Sequence, residues 1–404
     1  MTTETETDSA VPATGIPQRL LLGSGPSPVP PRVLAALAQP TIGHMDPAFA
    51  DIMGETIDLL RQAFATENVA TLPISGTGSA GMEALVANFV DPDDRVVCGV
   101  NGLFGVRMAD ELVRAGADVV QVRADWGRAI APEQLIEAAK AAKTDAIVVV
   151  HGETSTGVVQ SLEGLADACR ERDALLLVDC VTSLGGHPLR LDEAGVDAAF
   201  SGTQKCLNCP PGLAPFTAGE RAIAKLKRRE SPGRSWYFDL ALVLEYWNPG
   251  SAAPTGTPPA RAYHHTAPIN MMYALREALR IAVGEEWLPT TWERHRRAHH
   301  ALRDALGVFG CERLAPDGEQ LHPLLGVSPP PDVDEAAIRQ ALLLDHGIEI
   351  SGGLGPLAGK LWRIGVMGMG AQREPQERLV SALATLLHAD PAEPLAALAD
   401  GWRA

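Results

Sequence analysis

No run of apolar residues approaches the roughly 20 that a membrane-crossing helix requires, so no membrane association by a spanning segment is expected. Cysteine is scarce. The six residues Cys98, Cys169, Cys180, Cys206, Cys209 and Cys311 in 404 cannot frame a disulfide-stapled fold, and buried thiols in a reducing compartment are the expectation. Basic charge is also short: 34 Lys and Arg face 50 Asp and Glu. The resulting net charge of −16 repels phosphate backbones and argues against a nucleic-acid partner. The first fifteen residues are acidic and Thr-rich, with neither the basic flank nor the apolar core of a targeting peptide. A disordered tail is predicted over 1–19. The final Trp402-Arg403-Ala404 is not a peroxisomal tripeptide, and the cytoplasm is the expected location. Internal repeats and low-complexity core segments are absent. With 46% apolar and 21% charged residues the chain reads as globular, and its length suits about two domains.

What is present is alternation. From about residue 71 to 202, short β-rich apolar runs at 96–100, 119–122, 146–150 and 175–178 are separated by helical patterns at 81–89, 106–115, 132–142 and 165–171. Apolar runs that do not alternate suit strands buried on both faces, and strands alternating with helices suit a parallel sheet. An α/β layered domain follows. Helices are predicted at 220–229 and 237–246, a Pro/Gly-rich loop of the kind that lines sites at 248–259, and a long helical region at 268–308. Strand 324–327, helix 334–345, strand 348–350 and a final helix 377–388 describe a smaller C-terminal α+β domain.

Several constellations could carry chemistry. In Ser75-Gly76-Thr77-Gly78-Ser79-Ala80-Gly81, glycines permit close backbone approach, a helix start offers free N–H groups to a phosphate, and Thr77 and Ser79 add hydroxyls. The same letters spell G-x-G-x-x-G, but a dinucleotide site needs an acid ending the following strand, and Asp91, Asp93 and Asp94 precede that strand. A plain tight turn is the third reading. Asp179 ends the apolar run 175–178, which puts a carboxylate on the ligand-binding edge of a parallel sheet or in a turn or cap. Lys205 follows Ser201-Gly202-Thr203-Gln204 after another strand; alone it would be a solvated amine. Together, a phosphate cradle, an acid for a pyridine nitrogen and an amine able to condense with an aldehyde describe a pyridoxal phosphate site. Cys206-Leu207-Asn208-Cys209 lacks the second ligand pair of a zinc site, and packing beside the lysine turn is the better account. Tyr263-His264-His265-Thr266 could serve a phosphate through its hydroxyls. Arg363, in an apolar setting, suits bidentate capture of a carboxylate or a structural ion pair.

With these residues laid out, the chain resembles the class V aminotransferases of pyridoxal phosphate fold type I, most of all the alanine/serine–glyoxylate aminotransferases. The resemblance runs from about residue 20 to 387. It rests on Gly25-Pro26-Ser27-Pro28-Val29-Pro30, Ile42-Gly43-His44-Met45-Asp46-Pro47, the 76–79 cradle, Asn101-Gly102-Leu103-Phe104-Gly105 and His151-Gly152-Glu153-Thr154-Ser155-Thr156-Gly157. Asp179, Gln204-Lys205, Ser235-Trp236-Tyr237, the 263–268 segment and Arg363-Ile364-Gly365 complete it. It implies a mainly parallel sheet of the seven-stranded type flanked by helices. Lys205 would anchor the cofactor covalently and move the proton, and Asp179 would pair with the ring nitrogen. Thr77, Gly78, Ser79 and Gln204 would hold the phosphate, and Thr154 would approach the phenolic oxygen. Phe104 would stack on the ring, where relatives often have Trp. Tyr263 and Thr266 would reach the phosphate of a neighbouring subunit, which implies a homodimer with shared active sites. Arg363 would bind the substrate carboxylate, with Gly25, Gly43 and His44 shaping the substrate site.

The implied reaction moves an amino group from a small amino acid, alanine or serine, to the 2-oxo acid glyoxylate, giving glycine. Ureidoglycine–glyoxylate aminotransferases of purine breakdown are the alternative within the family, and tend to have Gln where this chain has His44. A lyase or desulfurase on the same fold is an alternative of another reaction class; a desulfurase would need a mobile nucleophilic cysteine, and the cysteines here sit beside the lysine turn or in helical patterns. A nicotinamide dehydrogenase and a non-catalytic binding module are further alternatives; Lys205 speaks against the latter. The expected division is a tail at 1–19, an arm and large cofactor domain at 20–265, an interdomain helix region at 266–310 and a small domain at 311–404.

Overall fold

The computed structural model describes residues 15–247 and 262–403. The loop predicted at 248–259 and most of the tail predicted at 1–19 lie outside the described residues. Seven strands form the central sheet, in the spatial order Ala70–Ser75, Leu213–Ala218, Ala198–Phe200, Leu175–Asp179, Ala146–Val150, Arg95–Val100 and Asp118–Arg123. Only the two pairings of Leu213–Ala218 are antiparallel. The inner strands Ala146–Val150 and Leu175–Asp179 are Val-, Ile- and Leu-rich and buried throughout, because the helices Gly78–Phe89, Leu103–Arg114, Pro132–Ala142 and Leu165–Arg170 flank the sheet.

Leu213–Ala218 has no counterpart in the sequence reading. Its Pro215 argues against a central strand, since proline cannot donate to a ladder. Here Pro215 stands opposite Pro73, and its carbonyl turns to the other side, where it accepts from the Ser201 N–H at 2.7 Å. The helical region predicted at 268–308 is likewise broken. Helix Ile269–Leu279 runs into a wide π-type turn at Arg280–Glu285, and Leu288–Val308 starts anew with Pro289 in its first turn.

Beyond it, four antiparallel strands form a second sheet in the order Glu312–Arg313, Leu324–Ser328, Trp362–Gly365, Ser351–Gly352. The helices do not end near residue 388 as predicted. A further helix, Ala392–Arg403, starts where the Asp390 carboxylate accepts from the Ala392 N–H at 2.9 Å. It packs so tightly on Leu288–Val308 that a Cβ at Gly401 would lie 2.6 Å from the Ala301 Cα. At the other end of the chain, Leu20–Leu21 pairs in parallel with Ile348–Glu349. That pairing carries the N-terminal arm over the small sheet and delivers Ser24–Ser27 to the lysine turn. Among the described residues no helix is long and apolar enough to cross a membrane.

Candidate active site

Four segments leave the same edge of the central sheet, the C-terminal edge of its parallel strands, where such sheets bind ligands. Ser75 leads into the 76–79 turn, Val150 into His151–Thr156, Asp179 closes its own strand, and Phe200 leads into Ser201–Lys205. The register sets Asp179 beside both Val150 and Phe200.

Lys205 is buried, and its Nζ donates to the Ser24 carbonyl. Burial, with the charge of Arg363 adding to it, lowers its pKa to about 8, against the pull of Cys206, Asp179 and Glu153. An amine so poised is uncharged for part of the time near neutral pH and can act as a nucleophile. Asp179 is buried too and takes a 2.8 Å hydrogen bond from the Val181 N–H. Burial raises its pKa to about 7, and the Glu153 carboxylate adds to the rise. A carboxylate held so far from water gains strongly from a cationic partner.

The lysine turn is locked from three directions. Ser27 Oγ donates to the Lys205 carbonyl at 2.6 Å, and Asn208 Nδ2 donates to Ser27 Oγ at 2.9 Å. Asn208 Oδ1 accepts from the Met369 N–H at 2.9 Å. Asn208, at φ +51°, thus ties the arm and the C-terminal sheet to the lysine, a role the sequence did not announce. Gly25, at φ +102°, lies against the lysine itself: a Cβ there would fall 2.7 Å from Nζ. Arg363 is buried on the other side. Its Nε donates to the Gly352 carbonyl at 2.7 Å and Nη1 to the Thr154 carbonyl at 3.1 Å, leaving Nη2 without a hydrogen bond among the described residues. Burial lowers its pKa.

The 76–79 turn opens helix Gly78–Phe89 with Thr77 at its cap. Gly76, at φ +135°, would bring a Cβ within 2.4 Å of the Ala80 Cβ, so only glycine fits. Thr77 and Ser79 are exposed and neither hydroxyl caps the helix. The first N–H groups of a helix have no partner within it, and they face outward beside these hydroxyls. Nearby, the buried Gln204 Oε1 and the Thr154 hydroxyl make no hydrogen bond among the described residues. A phosphate with a polar ring attached fits this donor set. Phe104 is half-buried, with the Arg107 guanidinium 5.0 Å over its ring.

Gly43, His44, Tyr263 and Thr266 gather elsewhere. The His44 and Tyr263 rings lie 5.1 Å apart, the Tyr263 hydroxyl is 3.3 Å from that of Thr266, and both of those residues are exposed. A Cβ at Gly43 would meet nothing within 4 Å. Among the described residues none of the four hydrogen-bonds to Lys205, whose Nζ is taken up by the Ser24 carbonyl. The adjacent histidines are committed to protein partners. His264 Nε2 donates to the Trp236 carbonyl, so its Nδ1 must accept from His265 Nδ1 at 2.7 Å, and His265 Nε2 then accepts from Ser75 Oγ at 2.7 Å. Burial lowers the His265 pKa to about 4, which keeps that ring uncharged near neutral pH. Among the described residues no group of three or more His, Cys, Asp or Glu is placed to hold a metal ion.

The six cysteines are all free and buried. Burial pushes Cys206 and Cys209 up to about 12, so the C-x-x-C pair offers neither a thiolate nor an open ligand. Glu153, quoted in the sequence only as part of a longer match, is fully buried between Phe104 and Arg363. Sequence spacing could not find it, because besides the neighbouring Ser155 its partners are backbone groups 48 and 49 residues away.

Comparison with known proteins points one way. The family described as aminotransferase class-V matches residues 19–358. A solved structure of alanine–glyoxylate aminotransferase from Nostoc sp. superimposes with a TM-score of 0.88 at 44% identity, covering 96% of this chain and 100% of that one. The chain is 39% identical over 376 residues to the (S)-ureidoglycine–glyoxylate transaminase of Bacillus subtilis, covering 89% of this chain and 88% of the relative. It is 38% identical over 368 residues to the alanine–glyoxylate aminotransferase of Oryctolagus cuniculus, with 91% and 92% covered.

Proposed function

The chain belongs to the class V aminotransferases, and from that premise we propose that this transaminase moves the amino group of a short amino acid, alanine or serine, to glyoxylate. The observation that carries the reading is the buried, low-pKa Lys205 on the same sheet edge as the buried strand-end Asp179, each within reach of the other's charge, with an Arg363 whose Nη2 makes no hydrogen bond among the described residues. Pyridoxal 5′-phosphate, when bound, supplies the aldehyde that takes up the amino group and the ring that accepts the electron pair.

The residues divide the work. The N-terminus of helix Gly78–Phe89 with Thr77, Ser79 and Gln204 holds the phosphate, Asp179 holds the ring-nitrogen proton, and Phe104 covers a ring face. Thr154 offers its free hydroxyl to the phenolic oxygen. Arg363 binds the carboxylate of donor and acceptor in turn. Lys205 Nζ removes the α-proton of the donor, and in the return half delivers one to the carbon that becomes the α-carbon of glycine. Exposed Tyr263 and Thr266, with Gly43 and His44 beside them, are read as serving the site of a second subunit in a homodimer. The place of action is the cytoplasm.

(S)-Ureidoglycine is the second donor reading, supported by the similarity to the Bacillus subtilis transaminase. His44 favours the short amino acids. A desulfurase reading has no support, since every thiol is buried and has its pKa raised by burial.

The test is the visible spectrum of the purified holoenzyme. L-alanine should bleach the band of the bound cofactor and glyoxylate should restore it. A band indifferent to alanine and serine but sensitive to ureidoglycine would move the assignment to the second donor; a protein that cannot be loaded would overturn both. Within this reading, Arg363→Ala should raise KM for the amino donor about 100-fold, the value of a lost charge-assisted pair, while cofactor affinity stays within a few-fold. Equal losses of the two affinities would remove Arg363 from carboxylate binding.

A further inference from the structure

We infer that Glu153 is a positioning residue: its buried carboxylate grips the first turn of helix Leu103–Arg114 and so fixes the Phe104 ring as one wall of the cofactor slot. The inference rests on the reading of the site as one for pyridoxal phosphate.

The grip is complete on both oxygens. Glu153 Oε2 accepts from the backbone N–H groups of Phe104 at 3.0 Å and Gly105 at 3.2 Å. Oε1 accepts from the Ser155 N–H at 3.0 Å and from Ser155 Oγ at 2.6 Å. Ser155 Oγ in turn accepts from the Leu103 N–H at 2.9 Å. Three successive N–H groups, otherwise orphans of a helix start, are therefore satisfied from one short loop. The helix itself offers no cap of its own, because Gly102 stands at the cap position without a side chain. Nor could another residue replace that glycine: a Cβ there would lie 2.4 Å from the Glu153 Cδ and 2.5 Å from Ser155 Oγ.

Glu153 makes no salt bridge among the described residues, although its carboxylate is fully buried. Burial raises its pKa, and the hydrogen bonds from Ser155, Gly105 and Phe104 oppose that rise. The anion is balanced by N–H donors and the positive end of the helix dipole, an arrangement in which the acceptor count matters as much as the charge. Thr154, between the two gripping residues, is itself held through its carbonyl by Arg363. The loop thus sets the Phe104 ring, the Thr154 hydroxyl and the Arg363 fork in one frame.

The conservative variant Glu153→Gln keeps the shape but turns one acceptor into a donor facing N–H groups. It should weaken cofactor binding about 10-fold, read by titrating the apoprotein with pyridoxal phosphate and following the change in protein fluorescence. Phe104→Leu should weaken it comparably without touching the grip. The deciding measurement is the double variant. If Glu153 acts through Phe104, the pair should bind no more than about twofold worse than Phe104→Leu alone. Losses that multiply would make Glu153 a structural cap only, and Glu153→Gln binding within twofold of wild type would overturn the inference outright. Should Glu153→Gln not fold, Ser155→Ala loosens the same turn from the Leu103 side, and its double variant with Phe104→Leu decides in the same way. A wild-type apoprotein that fails to take up pyridoxal phosphate would instead overturn the reading of the site.

Discussion

Replacing Lys205 by Ala should reduce the rate of amino-group transfer by about 10⁴-fold or more, because a single side chain performs two tasks here. In the proposed reaction its nitrogen would anchor the cofactor covalently, and the same nitrogen would carry the proton between carbon atoms. The fold should tolerate the change. The lysine turn is held through its backbone by Ser27, and Asn208 holds Ser27, so neither bond is lost with the side chain. The variant should therefore melt near the wild-type temperature and still bind the cofactor through the phosphate cradle, with a shifted visible band. Single-turnover mixing with L-alanine separates this from a folding defect. Added methylamine should restore part of the rate, since a small free amine can occupy the vacated space and carry the proton. Near-wild-type turnover in Lys205→Ala would remove the lysine from the reaction altogether.

Asp179→Asn should be the next most costly single change, slowing transfer by on the order of 10³-fold, the scale on which a preorganised charge partner acts in a water-poor site. Asp179 sits fully inside the sheet edge with its pKa raised to about 7, so in the unliganded site it shares its proton near neutral pH. A protonated ring nitrogen beside it would settle that balance toward the carboxylate, and Asn cannot accept the charge. Cofactor affinity should fall much less than the rate, and Asp179→Glu should keep more activity than Asp179→Asn. Equal effects of the two substitutions would mean that the site needs only the volume of the side chain.

What the sequence disclosed follows from how local each signal is. The parallel strands 146–150 and 175–178 were readable because double burial demands unbroken Val, Ile and Leu. Lys205, Asp179 and the 76–79 cradle were readable because each ends a strand on one edge, so topology alone gathers them. Leu213–Ala218 was hidden by Pro215, tolerated only because its carbonyl and not its nitrogen serves the ladder. Asn208 and Glu153 were hidden for another reason: their partners are backbone groups brought near by the fold, Met369 for one and Phe104 for the other, and backbone groups leave no mark in a sequence. Arg363 gave its type but not its reach. That Nη2 alone makes no hydrogen bond among the described residues depends on carbonyls of Gly352 and Thr154 that no spacing rule predicts. Gly25 and Gly43 read alike as small residues of a substrate site, yet one lies against Lys205 and the other on an exposed loop.

The buried thiols have a practical corollary. Burial pushes Cys98, Cys169, Cys206, Cys209 and Cys311 up to about 12 and Cys180 well above the ordinary thiol range, so in the first five the anionic form that alkylating reagents attack is roughly a thousandfold rarer than in an ordinary exposed cysteine. The native protein should thus be close to silent toward iodoacetamide, and each adduct that does form should record an opening of the chain. Because these sulfurs are spread from the central sheet to just beyond helix Leu288–Val308, the order in which they are tagged should amount to a regional clock of breathing that needs no mutation.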